Sequence, residues 1–149
     1  MKKTRHVPVL IFVALLGVFC SAFANKDADI ELSEAWIREA PPVAISMAGY
    51  FNLKNGSDST ITVIGFSSPS FEKVELHRTE LDGDIAKMVR QDRVEVSPGD
   101  VLLLAPGGYH LMLMKPVKPL KREDTVRIQI LLDQGRSLDV MATVRKAGA

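Results

Sequence analysis

The chain has 149 residues, with 19 Lys and Arg residues, 18 Asp and Glu residues, three histidines and one cysteine. This near-neutral balance argues against nucleic acid or an anionic membrane surface as a partner, because both attract strongly basic domains. The length fits one domain that can build a hydrophobic core without disulfides.

Residues 1–24 have the pattern of a cleaved secretory signal. Three basic residues lie among the first five, an uncharged apolar run follows, and residues 22–24 read Ala-Phe-Ala, the small-x-small pattern of a cleavage site. The apolar run is too short for a comfortable membrane span of ~20 residues. Cys20 raises lipidation as an alternative, although Phe19 stands where a lipoprotein signal has a small residue. We therefore predict a periplasmic protein with a mature domain of residues 25–149.

Cleavage would leave a chain with few ligands for metals. The mature segment has 16 basic and 18 acidic residues, two histidines (His77 and His110), and no cysteine. It can form no disulfide and offers no thiolate ligand.

The mature segment is a series of short apolar runs separated by turn residues. Many such runs, with almost no helical periodicity, predict an all-β fold, either a β-sandwich or a small barrel of short antiparallel strands. A short helix over residues 41–48 is a weaker possibility. The ten predicted strands cover residues 30–40, 48–55, 60–66, 71–77, 85–90, 93–96, 101–105, 109–114, 125–132 and 137–144.

Alternation along the fourth predicted strand assigns its two faces. Val74 and Leu76 form the predicted core pair, so His77, at the end of this strand, shares the opposite face with Lys73 and Glu75. We expect that face to be exposed to solvent.

The segment 109–114, Tyr-His-Leu-Met-Leu-Met, has an unusual outer face. Leu111 and Leu113 are predicted to point inward with Tyr109, which places His110 and Met112 together on the solvent side. An imidazole and a thioether two residues apart can both reach one metal ion. Thioether sulfur is soft and uncharged, so this pair favours Cu(I) over Zn²⁺, Mg²⁺ or Ca²⁺. In isolation the pattern is weak, because methionine in a strand commonly fills a core.

The spacing of four residues adds a more specific signal. His77, Met88, His110 and Met112 follow the pattern H-x10-M-x21-H-x-M. This pattern, with its surroundings "VELH" and "PGGYHLMLM", resembles the periplasmic copper chaperone family PCuAC over roughly residues 35–144.

The resemblance implies a cupredoxin-like β-sandwich in which these four residues bind one copper ion, Cu(I) by preference. It also implies the family's role, which is to carry copper to an acceptor such as the CuA subunit of cytochrome c oxidase or a Sco-type protein. Neither nucleic acid nor membrane insertion after cleavage is expected, and we expect a monomer.

Two departures from the family pattern limit the prediction to one copper site. Ala86 stands where many relatives have an additional methionine, and the chain lacks the Met- and His-rich tail with which some relatives hold a second copper. Met114 is a possible substitute ligand, although a residue at the rim of the site is the simpler interpretation.

Other functions remain open at this point. No serine lies in G-x-S-x-G and no histidine lies in H-E-x-x-H, which argues against common hydrolases, and we expect a protein that is not an enzyme. The absence of cysteine from residues 25–149 excludes a blue-copper electron-transfer site. A structural or binding module of the cell envelope and a copper-tolerance storage protein are the alternatives.

Overall fold

A computed structural model describes residues 29–148 and shows ten β-strands with one short 3₁₀ turn at Asp133–Gly135. The predicted signal segment lies outside the described residues. Within residues 29–148 no helix is long and apolar enough to cross a membrane. The strands are β1 (Ile30–Arg38), β2 (Ser46–Asn55), β3 (Ile61–Ser67), β4 (Phe71–Asp82), β5 (Ile85–Gln91), β6 (Val94–Val96), β7 (Val101–Leu104), β8 (Tyr109–Pro116), β9 (Thr125–Leu132) and β10 (Ser137–Arg145).

All ten predicted strands are present, and the all-β fold class is confirmed. Two local predictions were wrong. Residues 41–45 contain a turn rather than a helix, and β2 begins directly after them at Ser46. His77 does not end its strand, because β4 continues to Asp82 and pairs with β5 along this extension.

Seven strands close into a barrel. Their order around the ring is β4, β8, β2, β1, β10, β9 and β3, and β3 pairs back to β4 through Phe66 and Val74. The prediction of antiparallel strands holds for most pairs, but β1 with β10 and β7 with β8 run parallel. The three remaining strands are additions, with β5 beside β4, β6 beside β3, and β7 beside β2. The ring therefore fixes β4 and β8 as neighbours in one wall.

The barrel interior is filled by aliphatic and aromatic side chains from alternate strand positions. In β9 every second residue is buried, from Val126 to Leu132, and in β8 Leu111 and Leu113 have no exposed surface. Complete burial of one such side chain stabilises the fold by about 1.5–3 kcal/mol. Because side chains alternate between the two faces of a strand, burial of Leu111 and Leu113 places His110 and Met112 on the outer face of the wall.

The hairpin of β4 and β5 extends beyond the barrel. Residues 78–90 are exposed apart from the half-buried Thr79, including the apolar side chains of Leu81, Ile85 and Met88. Gly83 lies in the connecting turn with a φ of 62°, a conformation that glycine adopts without steric cost. The hairpin thus adds an exposed flap to the barrel wall that carries His77.

Candidate metal centre

The pairing of β4 with β8 brings the two described histidines together. His77 and His110 lie directly opposite each other in the register of these strands. Their ring centroids are 6.1 Å apart, and the ring planes are inclined by 44°. Two residues that are distant in the sequence therefore form one cross-strand pair on the outer face of the barrel.

This outer face is less exposed than the sequence predicted. His110 is buried, with 6% of its surface exposed, and the side chain of His77 is 14% exposed. The expectation that both rings face solvent was wrong. The alternation was assigned correctly, but the β4–β5 hairpin and the loop before β8 border the face on which the rings lie, as the pocket described below shows.

A backbone contact fixes the tautomer of neutral His110. Its Nδ1 lies 3.1 Å from the carbonyl oxygen of Gly108. Because a carbonyl only accepts hydrogen bonds, Nδ1 carries the proton and donates it, and Nε2 of the neutral ring keeps its lone pair. That Nε2 is buried and has no hydrogen-bond partner. An unpartnered buried nitrogen with a lone pair is rare in folded proteins and is suited to bind a metal.

His77 has the opposite arrangement of its nitrogens. Its Nε2 lies 3.0 Å from Oε2 of Glu75, and a carboxylate also only accepts, so here Nε2 donates. The other nitrogen, Nδ1, is buried without a hydrogen-bond partner. Each neutral histidine therefore uses one nitrogen as a donor to the protein and leaves the other with a lone pair.

Glu75 is held by positive groups as well as by His77. Its Oε1 lies 2.6 Å from Nζ of Lys73 and 3.1 Å from a guanidinium nitrogen of Arg90. The hydrogen bond from Lys73, followed by that from His77, lowers the pKa of Glu75 from 4.5 to about 2. The carboxyl group is therefore a carboxylate at any physiological pH, and it accepts rather than donates.

Two methionines lie on the same outer face. Met112 follows His110 by two residues and is half-buried opposite Glu75 and Ala48. Met88 in β5 pairs with Thr79, which follows His77 by two residues on the same face of β4. Met88 is 62% exposed. One sulfur thus lies within the barrel wall and the other on the exposed hairpin.

An open pocket of about 380 Å³ connects these elements. Met88, His110 and Met112 line it, whereas His77 lies beside the pocket as the cross-strand partner of His110. The turn before β8 forms part of the wall, and Gly107 in this turn has a positive φ of 85°, a conformation that glycine adopts without steric cost. The remaining lining residues are Arg38, Glu39, Ala40, Ser46, Met47, Ala48, Tyr50, Thr79 and Pro106.

The donor set of this centre is restricted in its chemistry. Within residues 29–148, no group of three or more His, Cys, Asp or Glu side chains is arranged to hold a metal ion. Glu39, the acidic residue of the pocket, forms an ion pair of 3.0 Å with Arg122. A metal held here would therefore depend on neutral imidazole and thioether ligands, which suit a soft, monovalent cation.

Sequence reasoning placed Glu75 on the correct face but missed its contact with His77. The spacing of two residues in a strand was the available signal, because it places both side chains on one face. Met114 follows Met112 on this face and is half-buried opposite Lys73 and Ser46, and it does not line the pocket. Ala86 lies on the same face of the hairpin as Met88.

Comparison with known proteins assigns the chain to a family. The LpqE-like family, described as "Putative lipoprotein LpqE-like", matches residues 30–144. The chain therefore belongs to the LpqE-like family. A protein of Leifsonia xyli subsp. xyli, described as "Putative lipoprotein Lxx21020", is 28% identical over 97% of this chain and 89% of its own length.

Solved structures of PCuAC domains share the fold, and the resemblance to this group is confirmed. The CuI form of DR1885 from Deinococcus radiodurans superposes with a TM-score of 0.63 and 33% identity, covering 78% of each chain. The copper-bound PCuAC domain of PmoF2 superposes with a TM-score of 0.67 and 20% identity, covering 79% of this chain and 93% of that domain. At this lower identity the PmoF2 comparison supports the fold.

Proposed function

We propose that this protein is a copper carrier that binds one Cu(I) ion through His77, Met88, His110 and Met112. The observation that carries the proposal is the pair of buried imidazole nitrogens, Nδ1 of His77 and Nε2 of His110, that have lone pairs and no hydrogen-bond partner. A ligated metal would satisfy both nitrogens at once. Met88 and Met112 add sulfur on the same face, and sulfur with imidazole favours Cu(I).

The comparison with DR1885 supports the choice of metal. That protein was solved in a CuI form, and it is the more similar of the two structures at the level of sequence. The four proposed ligands come from β4, β5 and β8, so the barrel must be folded before the ligands can meet. Copper binding would accordingly be a property of the folded domain.

The arrangement suits a carrier better than a storage site or an enzyme. Met88 is exposed on an outer strand, so an acceptor could displace its sulfur first while the histidines still hold the ion. A neutral thioether needs no proton when it leaves the metal. We infer delivery in the cell envelope after cleavage of the signal in residues 1–24. The family resemblance points to a CuA subunit or a Sco-type protein as the acceptor.

An anaerobic titration with Cu(I) against the competing chelator bicinchoninate tests the proposal. The mature wild-type protein should withdraw one equivalent of Cu(I), and the His77→Ala, His110→Ala double variant should withdraw none at the same chelator concentration. The same titration with Zn²⁺ and a zinc chelator should show no comparable retention. The Lys115→Ala variant is a surface control, because Lys115 is exposed on β8 and its amine pairs with Glu72. Equal copper retention by the wild type and the double variant would refute the proposal.

A further inference from the structure

The carboxylate of Glu75 contacts side chains of both β4 and β5. These two strands carry the proposed ligands His77 and Met88. Its Oε2 accepts from Nε2 of His77, and its Oε1 accepts from Lys73 and Arg90. The side chains of Glu75 and His77 are 12% and 14% exposed, so the contact between these two is largely sheltered from water. We propose that Glu75 is a positioning residue of the metal centre that makes Nδ1 the ligating nitrogen of His77 and holds β5, with Met88, against β4. This inference rests on the proposed copper function.

The first part of the inference concerns the His77 ring. A histidine side chain can offer either nitrogen to a metal, and the partner of the other nitrogen decides which one is used. Glu75 occupies Nε2, so only Nδ1 remains available. In His110 the Gly108 carbonyl occupies Nδ1 and leaves Nε2. The two histidines should therefore bind the same ion through different ring nitrogens.

The second part concerns the position of β5. Arg90 follows Met88 by two residues on the same face and lies opposite His77 in the register of β4 and β5. Its guanidinium contacts Glu75 at 3.1 Å and Asp92 at 3.0 Å. Because β5 is an exposed strand, this side-chain contact adds to the backbone pairing that sets the position of Met88 relative to the histidines.

The third part concerns charge. A carboxylate that accepts from the distal nitrogen of a ligating histidine orients the ring and makes it a better donor. Lys73 and Arg90 balance the negative charge of Glu75, so the centre gains the orientation without a large excess of negative charge. This preserves the preference for a monovalent ion that the neutral ligands establish.

Cu(I) affinity, measured by chelator competition in three variants, tests the contribution of Glu75. Glu75→Ala should weaken binding by about 10- to 100-fold, the usual effect of removing an outer partner of a metal ligand. Glu75→Gln keeps an oxygen that can accept from Nε2, so its loss should be smaller. Glu72→Gln is the matched control, because Glu72 lies on the same strand and pairs with Lys115 at 2.8 Å; it should bind like the wild type.

Nitrogen-15 NMR of the histidine rings separates this inference from the copper proposal. In the metal-free wild type, His77 should appear as the Nε2–H form with a slowly exchanging proton, and Glu75→Ala should lose that protection. On addition of Cu(I), the resonance of Nδ1 of His77 should move in the wild type and in Glu75→Gln. A Glu75→Ala variant with wild-type affinity, or an Nε2–H signal equally protected without Glu75, would overturn the inference. If the wild type bound no Cu(I), the copper proposal would fail, and the metal-free spectra would still test the role of Glu75.

Discussion

The two histidines and Met88 occupy regions of different character. His77 and His110 lie in the β4–β8 seam, within a closed barrel wall in which each strand has a neighbour on both sides. Met88 lies on β5, which among the described residues pairs with β4 alone. The histidines are almost buried, whereas Met88 is 62% exposed. The proposed nitrogen ligands are thus enclosed by the fold, whereas one proposed sulfur ligand is exposed to solvent.

This difference suggests how one site could both retain and release copper. Buried, preoriented nitrogens lose little freedom on binding a metal, which favours affinity. An exposed sulfur can be replaced by a ligand of an acceptor without opening the barrel. The two regions can be tested separately through folding and copper binding, and together through the pH dependence of stability.

The largest effect should come from the barrel wall itself. Leu111→Ala removes a fully buried side chain between His110 and Met112 and should lower the free energy of unfolding by about 2–5 kcal/mol. Leu81→Ala, in the hairpin, removes a side chain that is 78% exposed. This substitution should change the free energy of unfolding by less than about 0.5 kcal/mol. Urea unfolding of the metal-free proteins measures both values. If both variants lost similar free energies of unfolding, the hairpin would be packed as tightly as the barrel wall, contrary to the expected difference.

Removing a ligand from the wall should have the next largest effect. His110→Ala should weaken Cu(I) binding by at least about 100-fold, or about 2.8 kcal/mol. Removing a ligand should reduce the affinity more than removing a residue that only hydrogen-bonds to a ligand. Met114→Ala provides the comparison, since Met114 shares the face but does not line the pocket; it should bind copper like the wild type. Chelator competition under reducing conditions gives both affinities. A comparable loss at Met114 would add its sulfur to the ligand set.

Removing the ligand from the hairpin should have a smaller effect. Met88→Ala should weaken Cu(I) binding by about tenfold, or about 1.4 kcal/mol, and should speed the transfer of copper to a chelator. Its free energy of unfolding should remain unchanged because the side chain is exposed. Met141→Ala is the matched control, since Met141 is 57% exposed on β10. Stopped-flow transfer rates that are unchanged in Met88→Ala would remove Met88 from the release step.

The smallest effect should be a pH-dependent contribution from Glu75, which links the two regions. Its pKa is lowered from 4.5 to about 2 by Lys73, His77 and Arg90, so its ionised form stabilises the fold. This contribution is fully present above pH 4.5 and is lost as the pH falls toward 2. The difference in melting temperature between metal-free wild type and Glu75→Gln should narrow as the pH falls from about 4.5 toward 2.5. A difference that stays constant down to pH 2.5 would contradict the proposed ion pairs.

The sequence predicted the strands well because their faces alternate. The alternation of β9 from Val126 to Leu132, and the turn residues on both sides of it, identify a strand without reference to any neighbour. The extension of β4 beyond His77 was missed, since residues 78–82 are exposed or half-buried and show no apolar alternation. The pairing with β5, rather than burial, keeps that segment extended.

The sequence correctly assigned His110 and Met112 to one outer face, but it did not predict the burial or the hydrogen bonds of the histidines. The set of four ligands stays a prediction. The alternation of β8 indicates that His110 and Met112 share a face. It does not indicate that other segments border this face or that His110 is buried. Whether Nδ1 or Nε2 of a histidine is free depends on the contacts of Glu75 and Gly108, which local sequence pattern alone does not predict.

The parallel pairing of β1 with β10 has a consequence for assembly. These first and last described strands meet at a seam separated from the β4–β8 seam by β2 on one side and by β3 and β9 on the other. While residues 137–145 are still inside the ribosome or the translocation channel, β10 cannot pair with β1 and β9. Each of these two strands then has an exposed, unpaired edge that is prone to aggregation. Closure of the ring, and with it the stable formation of the pocket beside His110, must therefore wait until β10 has emerged.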